Sequence, residues 1–178
     1  MKTLTEVAEG VREAALETLR DNKPVMNVMT AWKSDGNIFV VPFPPDDMVM
    51  NPFQLLALTL DVSGSEAYVL CMDARMGRLG PDDKKPTNID EARAYMKEDC
   101  LIIAGQHGDE KLFTITPYIH WGGELVLDEV TDMHDQSKEW SRQGGDAPDI
   151  DGLFDMELPD LPAVMRQNLM RHFSKYKS

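Results

Sequence analysis

Asn51-Pro52-Phe53-Gln54-Leu55-Leu56-Ala57-Leu58-Thr59-Leu60-Asp61-Val62-Ser63-Gly64, followed almost at once by Glu66-Ala67-Tyr68-Val69-Leu70-Cys71-Met72, decides the fold class. Asn51 suits a helix cap, and Pro52 suits the first helical position, where its missing N–H has no intrahelical role. Phe53, Leu55, Leu56, Ala57, Leu58, Leu60 and Val62 are apolar on nearly every side, so the spacing predicts a helix over 52–62 buried on more than one side. Ser63-Gly64 ends it. The run Glu66–Met72 is continuously apolar rather than alternating, the pattern of a central strand covered on both faces. A deeply buried helix leading into such a strand predicts layers of helix packed on sheet.

Upstream, Thr3-Leu4-Thr5-Glu6 forms a capping box ahead of Leu4, Val7, Ala8, Val11, Ala15 and Leu19, which recur at helical spacing. That helix stops near Asp21-Asn22, before Pro24. Val25–Trp32 and Asn37–Phe43 read as strands joined at the Asp35-Gly36 turn, and Pro42, Pro44 and Pro45 end the second.

Downstream, Gly77–Asn88 is a polar loop and Asp90–Lys97 a short helix candidate. Cys100–Ala104, Leu112–Ile119 and Leu125–Val130 read as three strands. Gly105–Glu110 and Trp121-Gly122-Gly123 are their turns, which predicts an antiparallel meander. The expected fold is α/β (α+β): a mixed or mostly antiparallel sheet of five to six strands flanked by helices, in the order αββαβββ plus a C-terminal helix.

Charge divides the chain. The net charge of −13 splits into −8 for residues 1–127, −9 for 128–160 and +4 for 161–178. Residues 1–130 are therefore expected to form the core domain, 131–157 an acidic flexible linker, and 158–178 a basic amphipathic helix opened by Pro162. Leu161, Met165, Leu169, Phe173 and Tyr176 line one side of that helix, a stripe that a solvated tail would not need. So acidic a chain argues against polyanionic partners, so neither nucleic acid nor membrane is expected. No stretch approaches the roughly 20 apolar residues of a membrane span. Cys71 and Cys100 lie in apolar runs and read as buried, reduced thiols; with no secretory signal, the chain reads as cytoplasmic.

Chemistry leaves few marks. Compact signatures for zinc deaminases, phosphate loops, dinucleotide sites, nucleophile elbows and His-Glu-x-x-His zinc sites are missing from the sequence. One dispersed set has metal-binding character: His120, Asp132, His134 and Asp135, with Asp73 at a strand end, could form an oxygen-rich site for a metal-dependent hydrolase. Against it stands the plainer reading of a solvated acidic segment after a strand. Trp121, at a hairpin tip, is a candidate binding residue. The remaining histidines carry no signal, and the 12 methionines read as core filler.

Asp35-Gly36, Ser65-Glu66-Ala67-Tyr68-Val69-Leu70, Ile102-Ile103-Ala104-Gly105 and Ile115-Thr116-Pro117-Tyr118 resemble a group of uncharacterised small proteins of phages and bacteria. The resemblance covers about Thr3–Val130 and implies a mixed α/β core and a phage or mobile-element origin, with no activity to transfer. The element order is also similar to profilin-like and roadblock-type modules, a fold-level analogy that implies a role in assembly. The function expected is that of an interaction or adaptor protein rather than an enzyme, with no cofactor. Its protein partner, self or foreign, is engaged through Met165, Leu169, Phe173 and Tyr176, most simply in a homodimer. The C-terminal helix has three possible seats: its own domain, a second copy, or another protein.

Overall fold

A computed structural model describes residues 2–43, 51–76, 98–133, 152–158, 160 and 162–174, with backbone alone at 75, 76, 98, 169, 170 and 172–174. The expected loop 77–88 and helix 90–97 lie outside these residues, as do most of the acidic stretch and the last four residues.

Helix α1 (Leu4–Arg20) begins as its capping box dictates. The Thr3 amide donates to Glu6 Oε2 at 2.9 Å, and the Glu6 amide donates to the Thr3 hydroxyl at 3.2 Å. The Thr3 donors hold the Glu6 carboxyl below its ordinary range. The hairpin β1 (Val28–Trp32) and β2 (Ile38–Pro42) follows. Helix α2 (Pro52–Ser63) is capped by Asn51 Oδ1, which accepts the Phe53 amide at 2.9 Å, and closes on Gly64 in the left-handed region. The meander is β3 (Ala67–Met76), β4 (Glu98–His107), β5 (Glu110–Trp121) and β6 (Glu124–Leu127), with β7 (Thr131–Asp132) completing the sheet. A 3-10 turn at Leu153–Asp155 and helix α3 (Ala163–Ser174) come last.

All strand pairs are antiparallel, in the order β2-β1-β3-β4-β5-β6, with β7 also on β5. Strand β3 lies inside the sheet and is covered on both sides, as its continuous apolar run requires. Ala67, Val69 and Cys71 face α1 and its Leu4, Val7, Leu16 and Leu19. Tyr68, Leu70 and Met72 face the opposite way, onto Leu56, Ala57 and Leu60 of α2 and onto Leu153. The result is three layers, with α1 on one face and α2 with the C-terminal segment on the other. Among the described residues, no helix is long and apolar enough to cross a membrane.

Among the described residues the sheet has seven strands, one more than the upper end of the expected five to six. The reason is Pro117. Its carbonyl accepts the Asp128 amide at 2.9 Å, so its nitrogen also faces β6, where it has no hydrogen to return. The ladder breaks there. Tyr118 pairs with Leu127, yet Ile115 pairs with Thr131, so one extra residue is accommodated between them. This is a β-bulge: it ends β6 at Leu127, short of the end of the expected strand 125–130, and the pairing resumes beyond that range as β7.

A second correction concerns the turn expected over Gly105–Glu110. Strand β4 runs on to His107, paired with Glu110, and the chain reverses at Gly108-Asp109, with Gly108 at φ +58°. Gly105 is an interior strand residue. Part of the stretch expected as a linker over 131–157 is described. Thr131-Asp132 is a strand, Met133 is buried, and Leu153 is only 1% exposed in the α2 layer.

Candidate functional site

The polar groups expected to carry chemistry meet only in part. Asp73, near the end of β3, and Tyr118 and His120, on β5, lie on the sheet face covered by α1. The Tyr118 hydroxyl donates to Asp73 Oδ1 at 2.6 Å, and the Asp73 amide donates to Asn27 Oδ1 at 2.7 Å. The rings of Tyr118 and His120 meet edge to face at 5.8 Å. His120 Nε2 lies 2.9 Å from the Leu19 carbonyl, which accepts its hydrogen. Each bond ties β3 or β5 to another part of the chain: β3 to Asn27 just ahead of β1, β3 to β5, and β5 to the last turn of α1. The cluster works as a structural clasp.

Burial, and then the bond to Asp73, push the Tyr118 hydroxyl up from its ordinary value, so it remains a donor through the physiological range. Burial first and then Asp73 push the nearby Cys71 thiol up to about 11 from 9.0. Both groups bind their protons more tightly when folded than when unfolded. Their contribution is therefore intact below pH 9 and is lost as pH rises. The urea midpoint is expected to fall between about pH 9 and 11, with a stability loss on the order of 2 kcal/mol from Cys71 alone. In Cys71→Ala the decline should begin later, near the tyrosine range; identical pH profiles for the two chains would show that the thiol has no part in it.

The metal reading gains no geometry. Asp132 pairs with Thr114, whereas His120 pairs with Leu125 towards the other end of β5. At about 3.3 Å per residue these positions are roughly 20 Å apart, beyond any shared coordination sphere. Among the described residues, no group of three His, Cys, Asp or Glu side chains could hold a metal ion. His134 and Asp135 lie outside the described residues.

Trp121 stands beside the Gly122-Gly123 turn, where both glycines have positive φ. Two such residues make the tight primed turn that a two-residue hairpin needs. The indole is 39% exposed.

The C-terminal segment meets parts of the chain that are distant in sequence. Leu153 enters the apolar layer among Tyr68, Leu56, Ala57 and Leu60. Its amide donates to the Tyr68 hydroxyl at 2.9 Å. The Phe154 ring meets Tyr68 edge to face at 5.3 Å. Lys111 Nζ and Asp155 Oδ2 are paired at 3.2 Å. Past Pro162, α3 lies along α2, where Arg166 bonds Asp61 at 2.6 Å. Of the expected stripe, the Met165 side chain is 57% exposed, and its neighbour Val164 is 68% exposed. The side chains of Leu169 and Phe173, and the whole of Leu161 and Tyr176, lie outside what is described.

No family model, curated protein or solved structure matches this chain. The stretches behind the phage-protein resemblance have local structural roles. Asp35-Gly36 turns the first hairpin, Ala67–Leu70 opens the doubly buried strand, and Ile102–Gly105 and Ile115–Tyr118 belong to paired strands.

Sequence reasoning missed Tyr68, Lys111, Leu153 and Asp155. One signal was available: Ile150, Leu153, Phe154, Met156 and Leu158 are apolar residues within an acidic run, with no reason to be there unless something covers them.

Proposed function

We propose that this protein is an interaction module that assembles through its C-terminal helix, in the simplest case as a homodimer. The observation that carries the reading is the orientation of α3. The helix is held beside α2 through Arg166 and Asp61, yet Val164 and Met165 remain exposed. A surface ion pair is worth about 0–1 kcal/mol, so it orients the helix rather than providing the driving force. The apolar side chains beside it supply the area that a partner would bury. The positive charge of 161–178 against the acidic remainder favours a partner surface like this protein's own.

The test is solution mass in the full chain and in the double variant Val164→Asp/Met165→Asp. At micromolar concentration the full chain is expected near twice its 20.1 kDa and the variant near 20.1 kDa, with unchanged thermal unfolding of the body. Two carboxylates facing each other across an apolar contact should weaken association at least 100-fold, since each buried unpaired charge costs several kcal/mol. A variant as dimeric as the full chain would remove these two residues from the interface.

A further inference from the structure

The seat of the C-terminal segment has a property that the helix alone does not. Every contact described above between 152–174 and the body joins one side chain or amide of the segment to a partner on α2, β3 or β5. Leu153 is held by Tyr68 and the α2 leucines, Phe154 by Tyr68, Asp155 by Lys111, and Arg166 by Asp61. None is a covalent tie, because both cysteines are free thiols in β3 and β4. Only the chain through 134–151 connects the two parts.

We infer that the groove between α2 and the sheet is a docking site for this segment, and that in the dimer each copy's Gly152–Ser174 segment occupies the groove of the other. The inference rests on the self-association proposed above. A second copy presents the same Leu153, Phe154, Asp155 and Arg166, so exchange keeps every contact and creates no new strain in the groove. Charge selects this occupant. The groove offers Lys111 to an acidic side chain and, farther along α2, offers Asp61 to a basic one. Only a segment with apolar residues, then an acid, then a base at this spacing satisfies both.

Cross-linking separates exchange from docking within one chain. K111C and D155C are made singly, with tags of different length, and also together in one chain. Each pure protein and the mixed pair are unfolded, refolded at micromolar concentration and treated with a short bismaleimide. The buried Cys71 and Cys100 make the unsubstituted chain the background. The expected result is a cross-linked heterodimer from the mixture of single variants, well above either variant alone. A dimeric mass with no such heterodimer, while the doubly substituted chain cross-links within one molecule, overturns exchange and leaves self-association standing. A monomeric mass overturns both. Failure of the doubly substituted chain to cross-link in either way overturns the seat itself.

Discussion

Gly105→Ala is expected to lower the unfolding free energy by about 3 kcal/mol, the upper end of what overpacking a core costs. The backbone angle is ordinary, so conformational strain is not the cause. A Cβ at this position would run into the carbonyl oxygen of Tyr68 on β3 while also standing 3.0 Å from Leu4 Cδ1 and 3.2 Å from the Val69 Cα. Leu4 has a flexible end and can give way. The carbonyl and Cα belong to the doubly buried strand and cannot, without opening the β3–β4 ladder. Urea unfolding measures the loss. Adding Leu4→Ala to Gly105→Ala should give no rescue, because the obstacle is backbone. A cost under about 0.5 kcal/mol, or full rescue, would mean that these strands pair less closely than described here.

Leu153→Ala should be nearly as damaging, at about 3 kcal/mol, within the usual range for removing a fully buried leucine. The number matters because the same residue in a solvated linker would cost almost nothing. Tyr68→Phe provides an independent check. It leaves the Leu153 amide without its acceptor in a dry layer, at a cost of about 1–2 kcal/mol with almost no change of volume. Hydrogen exchange at the Leu153 amide should be slow in the unsubstituted chain and fast in both variants. If Leu153→Ala leaves the urea midpoint unchanged, residues 152–158 do not belong to the core.

These two sites mark where the sequence was legible and where it was not. The layers could be read because they rest on local chemistry. The Thr3–Glu6 box, the Asn51-Pro52 start and the Asp-Gly and Gly-Gly turns act over a few residues, and the unbroken run of β3 reports cover on both faces. Gly105 was read as a turn because glycine near His107 and Gly108 has the composition of one. Its actual role, a close backbone approach, depends on a strand more than thirty positions away. Pro117 could have announced the bulge, but only once its direction in the ladder was known. Leu153 was hidden for another reason: Ile150, Leu153, Phe154, Met156 and Leu158 mix helical and alternating spacing within an acidic run, so neither period stands out. The candidate site was half legible. The C-terminal helix could be read from Pro162 onward; the seat that positions it depends on Tyr68, whose hydroxyl is invisible in a pattern of apolar residues.

The most direct test of this account is the mass of the unsubstituted full-length chain over a dilution series, by light scattering or sedimentation. The proposed reading requires about twice 20.1 kDa at micromolar concentration, falling towards 20.1 kDa on dilution, with added salt shifting the transition only modestly because apolar burial holds the contact. A mass of 20.1 kDa at every concentration, up to the highest the chain tolerates in solution, contradicts it.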